Sequence, residues 1–147
     1  VYCENPKSSQ NIGITFRTAT VMGVADFLGT IGERYHKPRT DVCDSYRRLP
    51  VFNHKDPQDF FDHIPTATDV VAVELDDRSI ALEEFDWPKR VAIVFGTEGD
   101  GLSPEIRKRA RYLVKLPSVG ISMNVSACSS IVIWERYKFL RTNGFAI

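Results

Sequence analysis

The feature that most constrains the fold of this chain is a pair of short, uninterrupted apolar runs. Residues 70–73 read Val-Val-Ala-Val, and residues 91–94 read Val-Ala-Ile-Val. A strand with one face in water alternates apolar and polar side chains, whereas these runs are apolar at every position. Strands covered on both faces are typical of a parallel sheet between layers of helices, so the two runs predict an α/β fold.

Predicted strands and helices alternate along the whole chain. The strands are predicted at residues 1–3, 26–31, 51–53, 69–75, 90–95 and 112–116. The helices are predicted at residues 9–22, 41–46, 56–63, 103–110 and 123–141. Ser8 or Ser9 suits the first N-cap, and Gly23 suits the first helix end. This alternation predicts a mostly parallel sheet flanked by helices in a single domain, residues 1–147, which can equally be a piece of a longer protein.

Composition narrows the range of compartments and ligands. Apolar residues make up 43% of the chain, enough for a core, yet no apolar run reaches the roughly 18 residues that a membrane span needs. No segment resembles a secretory leader. The three cysteines form no CxxC pair, which argues against a disulfide framework and a structural zinc site. We therefore expect a cytoplasmic protein with no membrane association and no metal.

The charge is balanced overall but unevenly distributed. Nineteen Lys and Arg residues match nineteen Asp and Glu residues, which is a weak argument against a nucleic-acid partner. Basic residues nevertheless cluster at residues 34–39, followed by Arg47 and Arg48, and again at residues 107–111. Each cluster suits either a solvated face or a contact with RNA.

The usual nucleotide-binding fingerprints of α/β domains are missing. The turn after the first predicted strand, residues 5–13, contains no G-x-G-x-x-G, and no G-x-x-x-x-G-K-[ST] occurs in the chain. A dinucleotide-dependent oxidoreductase therefore loses its main sequence support.

A glycine-rich loop is the most informative local feature. Residues 96–102 follow a predicted buried strand and contain three glycines. Ligands bind α/β proteins at the carboxyl ends of parallel strands, and glycines let the backbone approach a ligand closely. The acidic Glu98 and Asp100 disfavour a phosphate and suit hydroxyls, an amine or a cationic centre. The alternative is a flexible turn that leads into the next helix.

Two further segments carry polar side chains that each have two interpretations. Asn11 and Arg17 lie six residues apart in the first predicted helix, so they point about 120° apart and can bracket one site. For Arg17, which stands among apolar residues, the alternative is a structural salt bridge. In residues 117–124, Ser122 suits the N-cap of the last helix and Asn124 suits a bond to nearby backbone, or both belong to a site.

Taken together and in order, three segments resemble the motifs of the SpoU/TrmH family of RNA 2′-O-ribose methyltransferases, within the SPOUT superfamily. The first segment is residues 11–17, with Asn, Gly and Arg at the family spacing, and the second is residues 94–103. The third joins Leu116 and Pro117 to the Ser-Met-Asn-Val-Ser of residues 122–126. Each motif alone is weak, whereas the ordered trio is highly specific.

The resemblance implies a fold, a cofactor and an assembly. The fold is an α/β domain with a C-terminal deep trefoil knot, built from about residue 95 to the last helix. Its loops would bind S-adenosylmethionine in a bent shape, and the protein would act on tRNA or rRNA as a homodimer with sites at the interface. The cofactor-binding residues carried over by position are Val73, Glu74, Leu75, Gly96, Glu98, Gly101, Leu116, Ile121, Ser122 and Met123.

The resemblance also implies a reaction, methyl transfer to a ribose 2′-hydroxyl that must be positioned in line with the methyl group and lose its proton. The catalytic residues carried over are Asn11, Arg17, Glu98, Ser122 and Asn124. Because arginine stays protonated in proteins, Arg17 suits binding the adjacent phosphate and stabilising a developing alkoxide better than acting as a free base. Two alternatives remain open, an inactive RNA-binding module of the same fold and a base-nitrogen methyltransferase of a related knotted family.

Overall fold

One parallel sheet organises the molecule. The computed structural model describes residues 1–97 and 99–145. The strands found within these residues are Tyr2–Glu4 (β1), Leu28–Ile31 (β2), Val51–His54 (β3), Asp69–Val73 (β4), Ile80–Ala81 (β5), Val91–Phe95 (β6) and Tyr112–Lys115 (β7). Their order in the sheet is β3-β2-β1-β6-β4-β7-β5, and every pairing is parallel. The predicted α/β fold with a mostly parallel sheet is confirmed.

Helices connect these strands. The described α-helices are Ser9–Val21 (α1), Ser45–Arg48 (α2), Pro57–His63 (α3), Pro104–Arg109 (α4) and Val125–Thr142 (α5). The side chain of Ser8 accepts the Asn11 N–H and caps α1, while Gly23 adopts a φ of +65° just beyond the end of that helix. Both features follow the sequence pattern, because an N-cap hydroxyl satisfies a free helical N–H and glycine adopts a left-handed conformation without a Cβ clash.

The sheet is covered on both faces. One core contains side chains of α1 and α5, among them Phe16 and Ile133, and the other contains Phe60 of α3 and Ile106 of α4. The central strands β4 and β6 contribute to both cores, because their alternate residues face opposite helical layers. This arrangement explains why their sequences are apolar at every position.

The register brings three central strand ends to one level. Val73 at the end of β4 lies beside Phe95 at the end of β6 and beside Val114 near the end of β7. The loops that follow these strands therefore emerge side by side at the carboxyl edge of the sheet, where α/β proteins bind ligands.

The structure differs from the predicted elements in three places. The two-residue strand β5 was not predicted, because it is too short to show a periodic pattern. The short helix predicted at residues 41–46 begins later and is α2, Ser45–Arg48. It begins there because the buried Asp41 carboxylate accepts the Ser45 N–H at 3.0 Å. The last helix begins at Val125 with Asn124 as its N-cap, so the interpretation of Ser122 as the cap was wrong.

Among the described residues, no helix combines the length and apolarity that crossing a bilayer requires.

Candidate functional site

A cleft opens at the carboxyl ends of β4, β6 and β7. Its walls are the loops that follow these strands, together with the start of α5. Every residue predicted to bind a cofactor that the structure describes lines this cleft, namely Val73, Glu74, Leu75, Gly96, Gly101, Leu116, Ile121, Ser122 and Met123. The remaining predicted residue, Glu98, lies outside the described residues. Three separate sequence segments are thus brought to one place by the parallel register.

The glycine loop closes into a tight turn under one wall of the cleft. Thr97 and Gly101 exchange backbone hydrogen bonds of 3.2 and 3.1 Å, and Gly101 has a φ of +66°. A Cβ on Gly101 would lie 2.4 Å from Oε2 of Glu74, the carboxylate oxygen that accepts the Leu102 N–H at 2.7 Å. Glycine is therefore required at position 101 both by the backbone conformation and by the close approach of Glu74.

Glu4 is a second carboxylate on the same loop, and sequence reasoning missed it. It ends β1, is only 2% exposed, and accepts the Ser103 N–H at 2.8 Å through Oε2. Its other oxygen, Oε1, is buried without a hydrogen-bond partner within the described part of the chain. Since β1 and β4 flank β6 in the sheet, Glu4 and Glu74 hold the end of the glycine loop from both sides. An acidic residue closing a buried strand was the signal that could have identified it.

The third loop exposes apolar side chains to the cleft. The Ser118 hydroxyl accepts the Gly120 and Ile121 N–H groups at 3.1 and 3.2 Å and fixes a turn. Beyond this turn, Ile121 is 75% exposed and Met123 is 44% exposed, although both line the cleft. Large apolar side chains exposed in a concave site are typical of a ligand-binding surface.

Asn124 joins the first and third predicted segments. Its Oδ1 accepts the N–H groups of Ser126 and Ala127 at 2.9 and 3.2 Å, which caps α5. Its Nδ2 donates to Oδ1 of Asn11 at 3.4 Å. The structure therefore brings Asn11 and Asn124 together at the rim of the cleft, where Met123 and Val125 on either side of Asn124 line it.

Arg17 lies elsewhere on α1 and does not line the cleft. It is exposed and shares one helix face with Ile14 and Val21, which are 38% and 70% exposed. Within the described residues it forms no ion pair, so the salt bridge considered as the alternative is not found. An arginine between exposed apolar side chains has no intramolecular role that the described contacts reveal.

Cys128 borders the cleft from the first turn of α5. Burial, together with the nearby charge of Glu74, raises the pKa of its thiol to about 11. The thiol is therefore protonated at neutral pH, which favours a packing role for this cysteine over a role as a nucleophile.

A separate group of His54, Asp59 and His63 lies at the end of the edge strand β3, away from the cleft. Their potential ligand atoms lie within 4.8 Å of one another. Asp59 already accepts the Lys55 N–H at 2.9 Å, and Nδ1 of His63 lies 2.8 Å from the Asp59 carbonyl oxygen. Burial lowers the pKa of His54, which favours its neutral form. These contacts indicate a structural role for the three residues, which hold α3 against the end of β3.

Comparison with known proteins gives a consistent result. A model described as the SpoU rRNA Methylase family matches residues 1–134. A tRNA (guanosine(18)-2′-O)-methyltransferase of Borreliella burgdorferi is 31% identical over 137 residues, which is 90% of this chain and 63% of that protein. The chain therefore spans less than two thirds of the length of this relative.

Solved structures share the fold. The TrmH/SpoU tRNA-modifying enzyme of Aquifex aeolicus superposes with a TM-score of 0.85 at 23% identity, over 97% of this chain and 75% of that one. The AdoMet-bound rRNA methyltransferase of Sinorhizobium meliloti superposes with a TM-score of 0.83 at 24% identity, over 95% of this chain and 55% of that one.

Proposed function

The chain belongs to the SpoU rRNA Methylase family, and on that basis we propose that it transfers a methyl group from S-adenosylmethionine to a ribose 2′-hydroxyl of tRNA or rRNA. The observation that carries the proposal is the cleft, which gathers the described members of the predicted cofactor set at one sheet edge. The contact between Asn11 and Asn124 adds the first segment to its rim. We propose residues 1–147 as one methyltransferase domain.

The cleft has the surfaces that S-adenosylmethionine needs. Exposed Leu75, Ile121 and Met123 offer apolar contacts for an adenine ring. Gly96 and Gly101 line the cleft without side chains, so their backbone groups are what they offer to the polar edge of the ligand. Glu74 makes this wall acidic, which suits a cationic sulfonium, whereas Asp100 is paired with Lys7. When bound, the cofactor supplies an electrophilic methyl group, so the protein needs to position a nucleophile rather than create one.

The residues around the cleft suit positioning and charge stabilisation. Asn11, Ser122 and Asn124 offer hydrogen-bonding groups on the rim, where a nucleotide reaching the cleft can be oriented. We assign Arg17 to the phosphate next to the target ribose and to the developing alkoxide, because its guanidinium is a permanent cation. Glu98 keeps its proposed role in the glycine loop through its motif position alone.

We propose that the active protein is a homodimer. Arg17 lies on the exposed face of α1 rather than in the cleft, so a second copy is the simplest way to bring it beside a bound nucleotide. Both helices of the packed α1–α5 pair also expose apolar side chains, Ile14 and Val21 on α1 and Ile131 and Trp134 on α5. Covering such surfaces on association is favourable.

We also propose that the chain is knotted near its C-terminus. Strand β7 lies beyond β4, whereas α5, which follows it, packs on α1, so the connecting loop passes the other two cleft loops on its way. Pulling single molecules by both ends tests the proposal. A knotted chain stretches to a shorter contour length than an open chain of the same size, which at full extension gains roughly 3.3–3.6 Å per residue.

The function is tested by incubating the protein with methyl-labelled S-adenosylmethionine and separate tRNA and rRNA pools, then digesting the RNA to nucleosides. The expected product is a 2′-O-methylated nucleoside from one of the pools. Label on a base nitrogen, or no label in either pool despite measurable cofactor binding, would refute the proposal.

A further inference from the structure

We propose that only one of the two basic clusters binds the RNA substrate. It is residues 34–48, here called the loop segment, and the other cluster is residues 107–111, here called the α4 segment. The inference rests on the proposed function for the identity of the partner. It rests on a difference between the two clusters in how many of their positive charges are paired with carboxylates.

The loop segment carries free positive charge. Its five Lys and Arg residues are all exposed, the segment itself contains two acidic residues, Asp41 and Asp44, and one exposed acidic residue, Glu33, precedes it. Asp41 is fully buried and Asp44 pairs with Lys37. Arg34 and Arg39 form no ion pair within the described residues. Their guanidinium groups are therefore available to phosphates.

The buried carboxylate of Asp41 keeps this segment in place. It accepts the Ser45 hydroxyl at 2.7 Å and the Tyr35 hydroxyl at 2.8 Å. Burial alone would raise the pKa of Asp41, but these hydrogen bonds outweigh it and hold the pKa below its usual range. The carboxylate therefore stays ionised and bonded, so the exposed cations are presented by an anchored loop rather than a loose one.

The α4 segment is largely neutralised within the chain. Its three arginines each lie near a carboxylate: Arg107 at 3.9 Å from Asp76, Arg109 at 3.0 Å from Glu105 and Arg111 at 3.3 Å from Asp69. The Arg109 guanidinium also lies 4.0 Å from the centre of the Phe61 ring. Cations engaged in this way lose much of their attraction for a phosphate backbone.

The two clusters also differ in their distance from the site. The Thr40 hydroxyl of the loop segment donates to the Gln10 carbonyl at 2.9 Å, and Thr40 and Pro38 pack so closely on α1 that only glycine fits at position 13. Asn11, in the same turn of α1, contacts Asn124 at the rim of the cleft. The loop segment is therefore continuous with the proposed nucleotide position, whereas α4 covers the opposite face of the sheet.

Tyr46 gives the loop segment a surface for a nucleobase. Its ring is 37% exposed, with Nζ of Lys37 at 5.5 Å and the guanidinium carbon of Arg47 at 5.7 Å from its centre. Proteins bind single-stranded RNA loops with this combination, because a base stacks on the aromatic ring while the cations contact phosphates.

The test compares two double variants that each remove two positive charges, Arg34→Ala with Arg39→Ala and Lys108→Ala with Arg111→Ala. Binding of unfractionated tRNA is measured by fluorescence anisotropy at several salt concentrations, and cofactor binding by calorimetry. The first variant should weaken tRNA binding at least about tenfold and reduce the slope of log Kd against log salt by roughly 1.5, the loss of two phosphate contacts. The second should stay within about threefold of the unmodified protein. Both should bind the cofactor normally.

A third variant separates stacking from charge. Tyr46→Ala should weaken tRNA binding about fivefold or more without changing the salt slope, and Tyr46→Phe should restore it, because the ring rather than the hydroxyl stacks. An equal or larger loss from the α4 variant would overturn the inference, as would unchanged binding in the loop variant. Specific tRNA binding through the loop segment, with no methyl transfer to either the tRNA or the rRNA pool, would support the inference while refuting the proposed function.

Discussion

The cleft and the exposed face of α1 differ in how many of their polar groups are already bonded within the chain. Around the cleft, Glu74 and Glu4 accept backbone N–H groups at the end of the glycine loop, and Asn124 accepts the Ser126 N–H at the start of α5. On α1, Arg17 has no ion-pair partner among the described residues and lies between exposed Ile14 and Val21. One half of the proposed site is thus formed by a single folded chain, and we propose that a second copy of the chain completes the other half. The difference predicts that cofactor binding and turnover can be separated by mutation.

Replacing Arg17 should give the largest effect. In Arg17→Ala, kcat should fall about 10²–10³-fold, the usual loss when one group that stabilises developing charge is removed. The dissociation constant of S-adenosylmethionine should stay within about threefold of that of the unmodified protein, because Arg17 does not line the cleft. Single-turnover methylation and calorimetry measure the two quantities. Arg90→Ala, which removes an exposed arginine at the opposite end of β6, is the control and should leave both unchanged. If Arg17→Ala and the unmodified protein had comparable turnover, Arg17 would have no role in the reaction.

Charging the apolar face of α1 should have an intermediate effect. In Val21→Glu, burying a carboxylate against a second copy should weaken dimerisation about 100-fold, roughly 3 kcal/mol, and reduce turnover at low protein concentration. Cofactor binding should persist, because the cleft belongs to one chain. Sedimentation velocity measures the assembly. Val42→Glu, the same change at a side chain of similar exposure (66% against 70%), should leave the dimer intact. A Val21→Glu protein that remains dimeric would show that this face is not the interface.

Altering the glycine loop should give the smallest effect, and it should weaken stability and cofactor binding rather than turnover alone. Gly101→Ala places a methyl group against Glu74 and strains a backbone with a φ of +66°, so the free energy of unfolding should fall by about 1–3 kcal/mol and cofactor affinity about tenfold. Gly99→Ala adds the same group to the same loop where no atom lies within 4 Å, and its effect should be clearly smaller. Thermal unfolding and calorimetry compare the two. Equal losses would mean that the loop is sensitive to any added methyl group, and that Glu74 does not hold it.

The layers of the fold could be predicted from the sequence for physical reasons, whereas the residues that line the cleft were carried over from the resemblance to the SpoU/TrmH motifs. Uninterrupted apolar runs require burial on both faces, and residues after parallel strands must emerge at one edge. Glu74, Gly101 and Met123 could therefore be placed together without coordinates, once their motifs were recognised.

Other features depend on strand order, which periodicity does not encode. Glu4 reaches the glycine loop only because β1 lies beside β6, and nothing in the local sequence indicates that neighbour. Ser122 and Asn124 both suit a helix cap, and only the path of the loop selects Asn124. Whether Arg17 forms a salt bridge depends on residues that are distant in the sequence, and the sequence of one helix does not show which residues lie near it.

The contact between Asn11 and Asn124 joins residues 113 positions apart, and the one between Glu4 and Ser103 joins residues 99 positions apart. On a ribosome, the first helix is therefore complete long before its partners have been synthesised. Contacts of such sequence separation form late and slowly in folding. The lining of the cleft extends to Cys128, so a nascent chain cannot assemble this cleft until the start of α5 has been synthesised.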